Sequence, residues 1–443
     1  MRPLPPELMG GGVRGHLVPL QEDPLAFLRM TQAELGDAMR YRVLVWMVYR
    51  FSHPDMAQHI LQKNQRNYGK RSIDYRMLRR ISGQGLIANE GDSWLQQRRL
   101  MQPLFHRRQI ASWGEMMVRE AARLGERWQE QEGEVVEVHE AMSALTLRIV
   151  SEAMFGLALG ERGEAFREAF GVVNAYFGSF DPWFVLAPVL PGGRPRAYRR
   201  ALRQLNEIVY GIIAERRGGG GGGGDMLDLL LTAEDEESGA RMDDRQVRDE
   251  VITLLIAGHE TTANLLSWVF YLLAGEEVVA AKLSREVEQV LGGRLVTIGD
   301  WPNLPYLRAV LDETLRLYPP AWFISRTALG EDEVGGYRVP KGAFVSLSPY
   351  LTHRRPDFWP EPERFWPERF LEGEGERPRY AYLPFGGGPR QCIGNTFALT
   401  EAALILATIW GQGIRFERAR VVEPVALITL NPRGGLPLRL KKN

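Results

Sequence analysis

From Asp243 to about Ala274 the chain keeps an unbroken helical period, and this run limits what the rest can become. At ~1.5 Å per residue such a helix spans roughly 45 Å, the width of a whole domain. Its middle, VITLLIA and then ANLLSWVFYLLA, is apolar nearly all round, so it must be buried on every side. Asp243-Asp244 offers an N-cap. The apolar run is broken once, by Gly258, His259, Glu260, Thr261 and Thr262. A membrane span is a poor reading, because an ionisable group at mid-bilayer costs ~2.5–3.5 kcal/mol and charges crowd both ends. A zinc-peptidase motif fails as well: His259-Glu260 begins HExxH, but position 263 is alanine. The bland reading is a polar patch hydrogen-bonded to itself. The functional one is a notch: a glycine that admits a ligand, a threonine bonded to the carbonyl one turn back, and an acid able to pass protons.

A second stretch, Phe385 to Gly394, reads FGGGPRQCIG and holds Cys392, the sole cysteine of the chain. Glycines at this density let the backbone adopt conformations closed to other residues and let a large planar ligand approach. Arg390, two positions before the thiol, is expected to favour thiolate. A lone cysteine is ordinarily a small buried hydrophobe. Set in a tight glycine loop with a helix starting at Asn395, it suggests instead an axial ligand to haem iron.

The 443 residues are 44% hydrophobic and 25% charged, an ordinary globular balance, and basic and acidic residues cancel at 55 each. Nothing in the net charge points to nucleic acid. One cysteine rules out an intramolecular disulfide framework and fits a reducing compartment. The N-terminus lacks an apolar run of ~20 residues, so a cytoplasmic protein without a membrane anchor is expected. The pattern predicts helices at Asp23–Glu34, Asp55–Lys63, Gly91–Glu132, Val135–Gly156 and Glu161–Tyr176, with a β-rich part at about 35–55. An aromatic and proline-rich segment, Phe177 to Pro195, reads as a lid, and the run Gly218 to Gly224 as a flexible linker. Strands return at Trp322–Ala328, Tyr337–Val339, Ala343–Leu347, Val425–Leu430 and Leu436–Leu440. The fold class is mainly α with small β-sheets, in one domain over 1–443.

Taken together, Ala257-Gly258-His259-Glu260-Thr261-Thr262 and Phe385–Gly394 resemble the cytochrome P450 family of haem-thiolate monooxygenases. Trp94-x-x-x-Arg98, Glu313-x-x-Arg316, Pro319-Pro320 with Arg326, and Pro367-Glu368-Arg369-Phe370 follow in the family's order. PPAW at Pro319–Trp322, LSPY at Leu347–Tyr350 and GGLP at Gly434–Pro437 are similar to soluble bacterial members, including a thermophilic carotenoid hydroxylase. The alanine-to-threonine run is also similar to bacterial fatty-acid hydroxylases.

The resemblance implies a triangular helical domain with the long helix over haem b (iron protoporphyrin IX). It implies Cys392 as the iron ligand, with Phe385 packing on the thiolate side and Gly394 also binding the cofactor. Trp94, Arg98, Arg326 and Arg390 would hold the propionates, with Ala257 facing the haem. Glu260 and Thr261 would deliver protons during reductive activation of dioxygen. Glu313, Arg316 and Arg369 would form an ion cluster that supports the haem loop, and His353 and His106 would be structural or on the surface. Electrons would come from a separate ferredoxin or flavodoxin with its NAD(P)H reductase, docking on Arg98, Arg99, Arg107 and Arg108, and the protein would be a monomer. The substrate would be an apolar carotenoid, terpenoid or fatty acid, with pocket candidates at Ala257 and Thr261, Leu86-Ile87, Phe177–Phe184, Ala321–Ile324 and Leu427–Leu430. A peroxide-driven hydroxylase is the alternative.

Overall fold

A computed structural model describes residues 2–441 apart from 180–191, 220–223, 233, 235–240 and 372–376. Most of the expected lid and most of the glycine run therefore lie outside the described residues. The long helix runs Asp244–Leu273, and Asp243 caps it by accepting from the Gln246 N–H at 2.7 Å. From Val247 on it is buried almost throughout, packed among helices Val138–Phe155, Gly193–Arg217, Pro305–Leu317 and Asn395–Gly411. Among the described residues no single helix is long and apolar enough to cross a membrane.

The crossing with helix Val138–Phe155 corrects one expectation. A Cβ added at Gly258 would lie 2.6 Å from Val150 Cγ2, so this glycine serves helix–helix contact and not the approach of a ligand. Thr146 closes the same crossing by donating to the His259 carbonyl at 2.9 Å. His259 itself bonds the Leu255 carbonyl at 2.7 Å and sits edge-on to Phe166 and Phe170. Burial pulls its pKa down to about 4, which keeps it neutral at ordinary pH.

The largest sheet has five strands in the order Ala38–Val43, Trp46–Phe51, Phe344–Leu347, Ile324–Ala328, Tyr68–Gly69. Its parallel pair, Val48↔Phe344 to Phe51↔Leu347, joins the N-terminal hairpin to strands near the far end of the chain. The run from Val135 is not helical at its start. Val135–Glu137 is a strand paired with Pro437–Leu440, and the helix begins at Val138. Val425–Leu430 divides into Pro424–Ala426 and Leu430–Pro432 around a turn. Short strands at Asp332–Val334 and Phe416–Arg418 carry no readable alternation, because three residues are too few to show a period.

Glu313, Arg316 and Arg369 form a buried ion cluster. Arg316 meets both Glu313 oxygens at 2.7 and 2.8 Å, and Arg369 and the Trp366 N–H reach Oε1 at 3.1 and 2.9 Å. The Arg316 fork also donates to the carbonyls of His353 and Pro362. His353 continues the chain of contacts: its Nδ1 faces the Arg316 carbonyl and its Nε2 accepts from the Leu383 N–H at 2.9 Å. Accepting at Nε2 fixes the proton on Nδ1 and makes the ring neutral, in line with a pKa that burial and the neighbouring arginines pull to about 3. The cluster thus holds Leu383, at the entrance to the cysteine loop, through a histidine that ligates nothing.

Glu250, one turn inside the long helix, accepts from the Leu86 N–H at 2.9 Å, while its neighbour Asp249 accepts from the Gln84 N–H at 2.7 Å. Together they clamp the loop 83–88. Gly83 and Gly85 have no room for a Cβ, because Asp249 and Thr253 fill that space.

Two predictions follow from these clusters. Glu313→Gln leaves two arginines buried without their anion and should cost about 3–5 kcal/mol of stability, read from chemical unfolding midpoints; a loss near zero would remove the cluster's structural role. Burial lifts the Glu250 carboxyl from 4.5 to about 8. Between those values the folded chain keeps a proton that the unfolded chain has released, so the stability this group contributes is full below about pH 4.5 and declines as pH rises to about 8. Glu250→Gln keeps an acceptor for Leu86 and removes the titration. Variant and parent should match in stability at low pH, and the variant should gain on the order of a few kcal/mol at high pH. A gap that does not change with pH would refute this.

Candidate active site

Cys392 is presented by a loop whose geometry is set by the protein on both sides. The Cys392 N–H donates to the Phe385 carbonyl at 3.0 Å, and Gly394 is the N-cap of helix Asn395–Gly411. Gly388 has φ +66°, and a Cβ there would strike the Leu61 carbonyl; a Cβ on Gly387 would meet the Tyr380 ring at 2.5 Å. These two glycines make room for the chain's own backbone and a tyrosine, not for a ligand. Gly386 and Gly394 are the open ones, with no atom closer than 3.6 Å to their would-be Cβ positions.

The thiol is accessible although it lies deep among protein atoms. Burial pushes its pKa up, only partly offset by the Gly394 backbone N–H and the Arg98 charge. The charge beside the thiol is therefore Arg98, which donates to the Gln391 carbonyl at 2.9 Å. Arg390, expected in that role, points elsewhere. Its guanidinium lies 3.6 Å over the Trp94 ring centre and donates to the Asn89 carbonyl at 2.7 Å. A side chain two positions before a cysteine in a turn need not share its direction, and here it does not.

Trp94, Arg98, Arg326 and Arg390 do come together, with Lys70 and Tyr75 added to them. Arg326 donates to the Ser325 carbonyl at 2.7 Å and reaches the Tyr75 hydroxyl at 3.4 Å. Lys70 is buried, donates to the Ile87 carbonyl and lies over the Tyr75 ring. Burial, Arg326 and Arg390 hold its pKa well below the usual range, and Glu90 offsets them only in part. Burial and Arg326 likewise bring Arg390 down to about 10. Desolvated cations gathered with so little negative charge are unfavourable unless an anion completes them. Two propionates beside an accessible cysteine would do so, and the residues present fit haem. Among the described residues no group of three or more His, Cys, Asp and Glu offers a rival metal site. Lys70 and Tyr75 went unread in the sequence because a buried lysine is spelled like a surface one and its stretch has no clean period.

On the long helix Ala257 is exposed, an unusual state for the middle of a buried element, and Thr261 is half-buried. The Thr261 hydroxyl donates to the Ala257 carbonyl at 2.8 Å, as its spacing predicts. Glu260 faces away from it. Its Oε1 accepts from Asn174 at 3.1 Å and from Thr429 at 3.3 Å, and Thr429 also accepts from Asn264 and Asn431. Burial raises the Glu260 pKa against the pull of Asn431, Thr429, Asn264 and Asn174. The acid thus ties helix Glu161–Gly178 and the turn after Ala426 to the central helix, and Glu260 and Thr261 share no bond among the described residues.

Of the pocket candidates, Phe177, Trp322 and Phe323 line one apolar cavity of about 150 Å³, together with Leu28, Ile73 and Met77. Leu427 lies beside it, accepting the Trp322 indole N–H at 3.0 Å. His106, Arg99, Arg107 and Arg108 are exposed.

The cytochrome P450 family model matches residues 5–411. Cyclooctatin synthase of Streptomyces melanosporofaciens is 38% identical over 90% of this chain and 87% of its own length. Pentalenene oxygenase of Streptomyces avermitilis is 33% identical over 97% and 95%. The crystal structure of the cytochrome P450DA heme domain superposes with a TM-score of 0.89 at 30% identity, covering 100% of this chain and 98% of that one. With its thiol loop, cationic cluster and central helix arranged in this way, the chain belongs to the cytochrome P450 family of monooxygenases.

Proposed function

We propose that this protein uses haem b to hydroxylate a C–H bond of an apolar terpenoid, taking electrons from a separate donor. The observation that carries the reading is the under-compensated cluster of buried Lys70 and Arg326 with half-buried Arg98 and Arg390, beside an accessible Cys392. When bound, the haem supplies the activation of dioxygen and the insertion of one oxygen atom into substrate. The chain's own part is to bind, orient and deliver protons.

Cys392 would give up its proton on ligating iron, since its thiol is the favoured form in the protein alone and metal binding releases protons from such ligands. Arg98, Arg326, Arg390 and Lys70 would hold the propionates, with Trp94 flanked by the Arg98 and Arg390 guanidinium groups. Phe385 would rest on the thiolate side and Gly394 would bring a backbone N–H to the sulfur. Ala257, exposed on the central helix, would leave room there for the bound group and substrate. Thr261 Oγ1 would turn its hydroxyl from the Ala257 carbonyl toward the site and donate there. Glu260, whose carboxyl burial shifts toward the protonated form, would stand behind as an acid and reach the site only by leaving Asn174 and Thr429.

The relatives' names speak of cyclooctatin and pentalenene, both terpenoids, and the cavity behind Phe177, Trp322 and Phe323 is apolar enough for such a substrate. That favours a terpenoid over a fatty acid, for which a carboxylate-binding cation would be expected at the cavity and none lines it among the described residues. The electron donor is a ferredoxin or flavodoxin reduced by an NAD(P)H reductase, and the exposed Arg99, Arg107 and Arg108 give an acidic partner a place to dock.

The dithionite-reduced protein with carbon monoxide should give the long-wavelength Soret band of a thiolate-ligated haem, and Cys392→His should lose it. A short-wavelength band in the folded parent would sink the haem-thiolate reading. Thr261→Ala should lower reductant-driven product yield about 10²-fold or less, with oxygen consumption persisting as peroxide, while turnover driven by added peroxide survives. Equal loss of both activities would place Thr261 in the fold and not in proton delivery.

A further inference from the structure

Six of the 55 basic side chains are lysines. Lys63, Lys282, Lys341 and Lys441 are exposed, whereas Lys70 is 7% exposed and sits inside the cationic cluster. The chain uses arginine almost everywhere else, and an arginine at this place could not shed its charge, whereas a lysine can. The surroundings of its nitrogen favour that loss. Nζ donates to the Ile87 carbonyl and lies 5.1 Å from the Tyr75 ring centre, and among the described residues no carboxylate bonds it. Glu90, the acid beside it, is already committed: Oε1 accepts from the Lys70 backbone N–H, and Oε2 lies 3.6 Å from Arg79 and 3.7 Å from Arg71. Arg326 faces Lys70 from strand Ile324–Ala328 and Arg390 from the cysteine loop, each with its donors ending on uncharged oxygens. Helix Ile73–Ser82 adds Arg79 and the Tyr75 hydroxyl, and Asp74 on that helix is bonded to Ser325. Burial, Arg326 and Arg390 work against the ammonium, Arg79 adds to them, and Glu90 alone favours it.

We propose that Lys70 is a neutral amine in the protein alone and takes one proton from solvent when the haem carboxylates join the cluster. The inference rests on the haem reading above and deepens it, since haem uptake and protonation of this side chain become one event. A neutral amine needs no counter-ion, so Lys70, Arg326 and Arg390 can lie close together before an anion arrives. A carboxylate at hydrogen-bond distance then favours the charged form. The ammonium has three donors, enough to keep the Ile87 carbonyl and to bond the incoming carboxylate. Lys70 thereby fastens the loop 83–88, which Asp249 and Glu250 clamp from the other side, to the haem. Haem binding raises the pKa of this group, so its contribution to haem affinity is full below the haem-free pKa. That contribution is lost as pH rises toward the haem-bound pKa, by up to about tenfold in affinity per pH unit.

The test draws haem from the ferric holoprotein into excess apomyoglobin at about pH 9, below the ordinary lysine range, on a pH-stat in weakly buffered solution. Protons exchanged by myoglobin and by the cysteine are common to every variant and cancel in the comparison. The parent should release about one proton more per haem transferred than Lys70→Met or Lys70→Arg. Lys63→Met, at an exposed position, should match the parent. Equal release from the parent and the Lys70 variants would overturn the proposal. Where neither Lys70 variant folds, the parent decides alone, because six lysines labelled at 13Cε give few enough signals to resolve by NMR. At about pH 9 one signal should stand at the amine position in the haem-free protein and at the ammonium position in the diamagnetic ferrous carbon monoxide complex. Ammonium positions for every lysine in both states would also overturn it. The carbon monoxide band separates the two levels of failure. A missing long-wavelength band defeats the haem-thiolate reading itself, whereas an intact band with no proton difference defeats only the role of Lys70.

Discussion

A helix buried along most of its length depends on how closely its neighbours approach it, and the central helix is fastened at one tight crossing. Gly258 brings the backbone against Val150, and Thr146 satisfies the carbonyl of His259 from the same neighbouring helix. His259 then fits neutral between two phenylalanine rings. With that side closed, Ala257 and Thr261 are left as the accessible part of the turn. The site opens where it does because the opposite face of the same turn is fastened so closely. A larger residue at position 258 would separate the two helices and move the hydroxyl of Thr261 with them.

Charge is buried in two ways in this fold, and the contrast separates scaffold from site. At Glu313 the carboxylate faces two arginines, whose remaining donors end on backbone carbonyls, so the cluster is complete within the protein. At Lys70 and Arg390 burial and mutual repulsion both oppose the charge, and the compensating Glu90 is shared with Arg71 and Arg79. The first arrangement is satisfied without help and acts through His353 on the cysteine loop. The second carries charge that an added anion would compensate. An ion cluster that balances itself is evidence about folding, and one that does not is evidence about a ligand.

Much of this was legible in the sequence where periodicity or spacing is long enough to carry information. The long helix, its Asp243 cap, the bond from Thr261 to Ala257 and the Glu313–Arg316 pair all follow from intervals of three or four residues on one helix. Legibility failed wherever direction depended on distant packing. The sequence places Gly258, Gly387 and Gly388 where a ligand would approach, whereas each makes room for protein. Arg390 was placed on the thiol by its nearness in sequence, but Trp94 and Asn89 hold it elsewhere.

The polar notch itself divides in two. Adjacent residues on a helix point about 100° apart, so Glu260 and Thr261 cannot face the same space. Thr261 looks toward the accessible turn, while Glu260 looks toward Asn174, Thr429 and Asn431 and joins three elements that the chain brings from far apart. Two of those elements bear on the apolar cavity: the helix that carries Asn174 also carries Phe177, and the turn that carries Thr429 also carries Leu427, which holds Trp322. The acid thus connects two walls of the apolar cavity to the turn that bears Thr261, the residue proposed to deliver protons. Under the proposed function, Glu260 reaches the site only if its bonds to those walls loosen, which would tie proton supply and the fit of the cavity to the same carboxyl group.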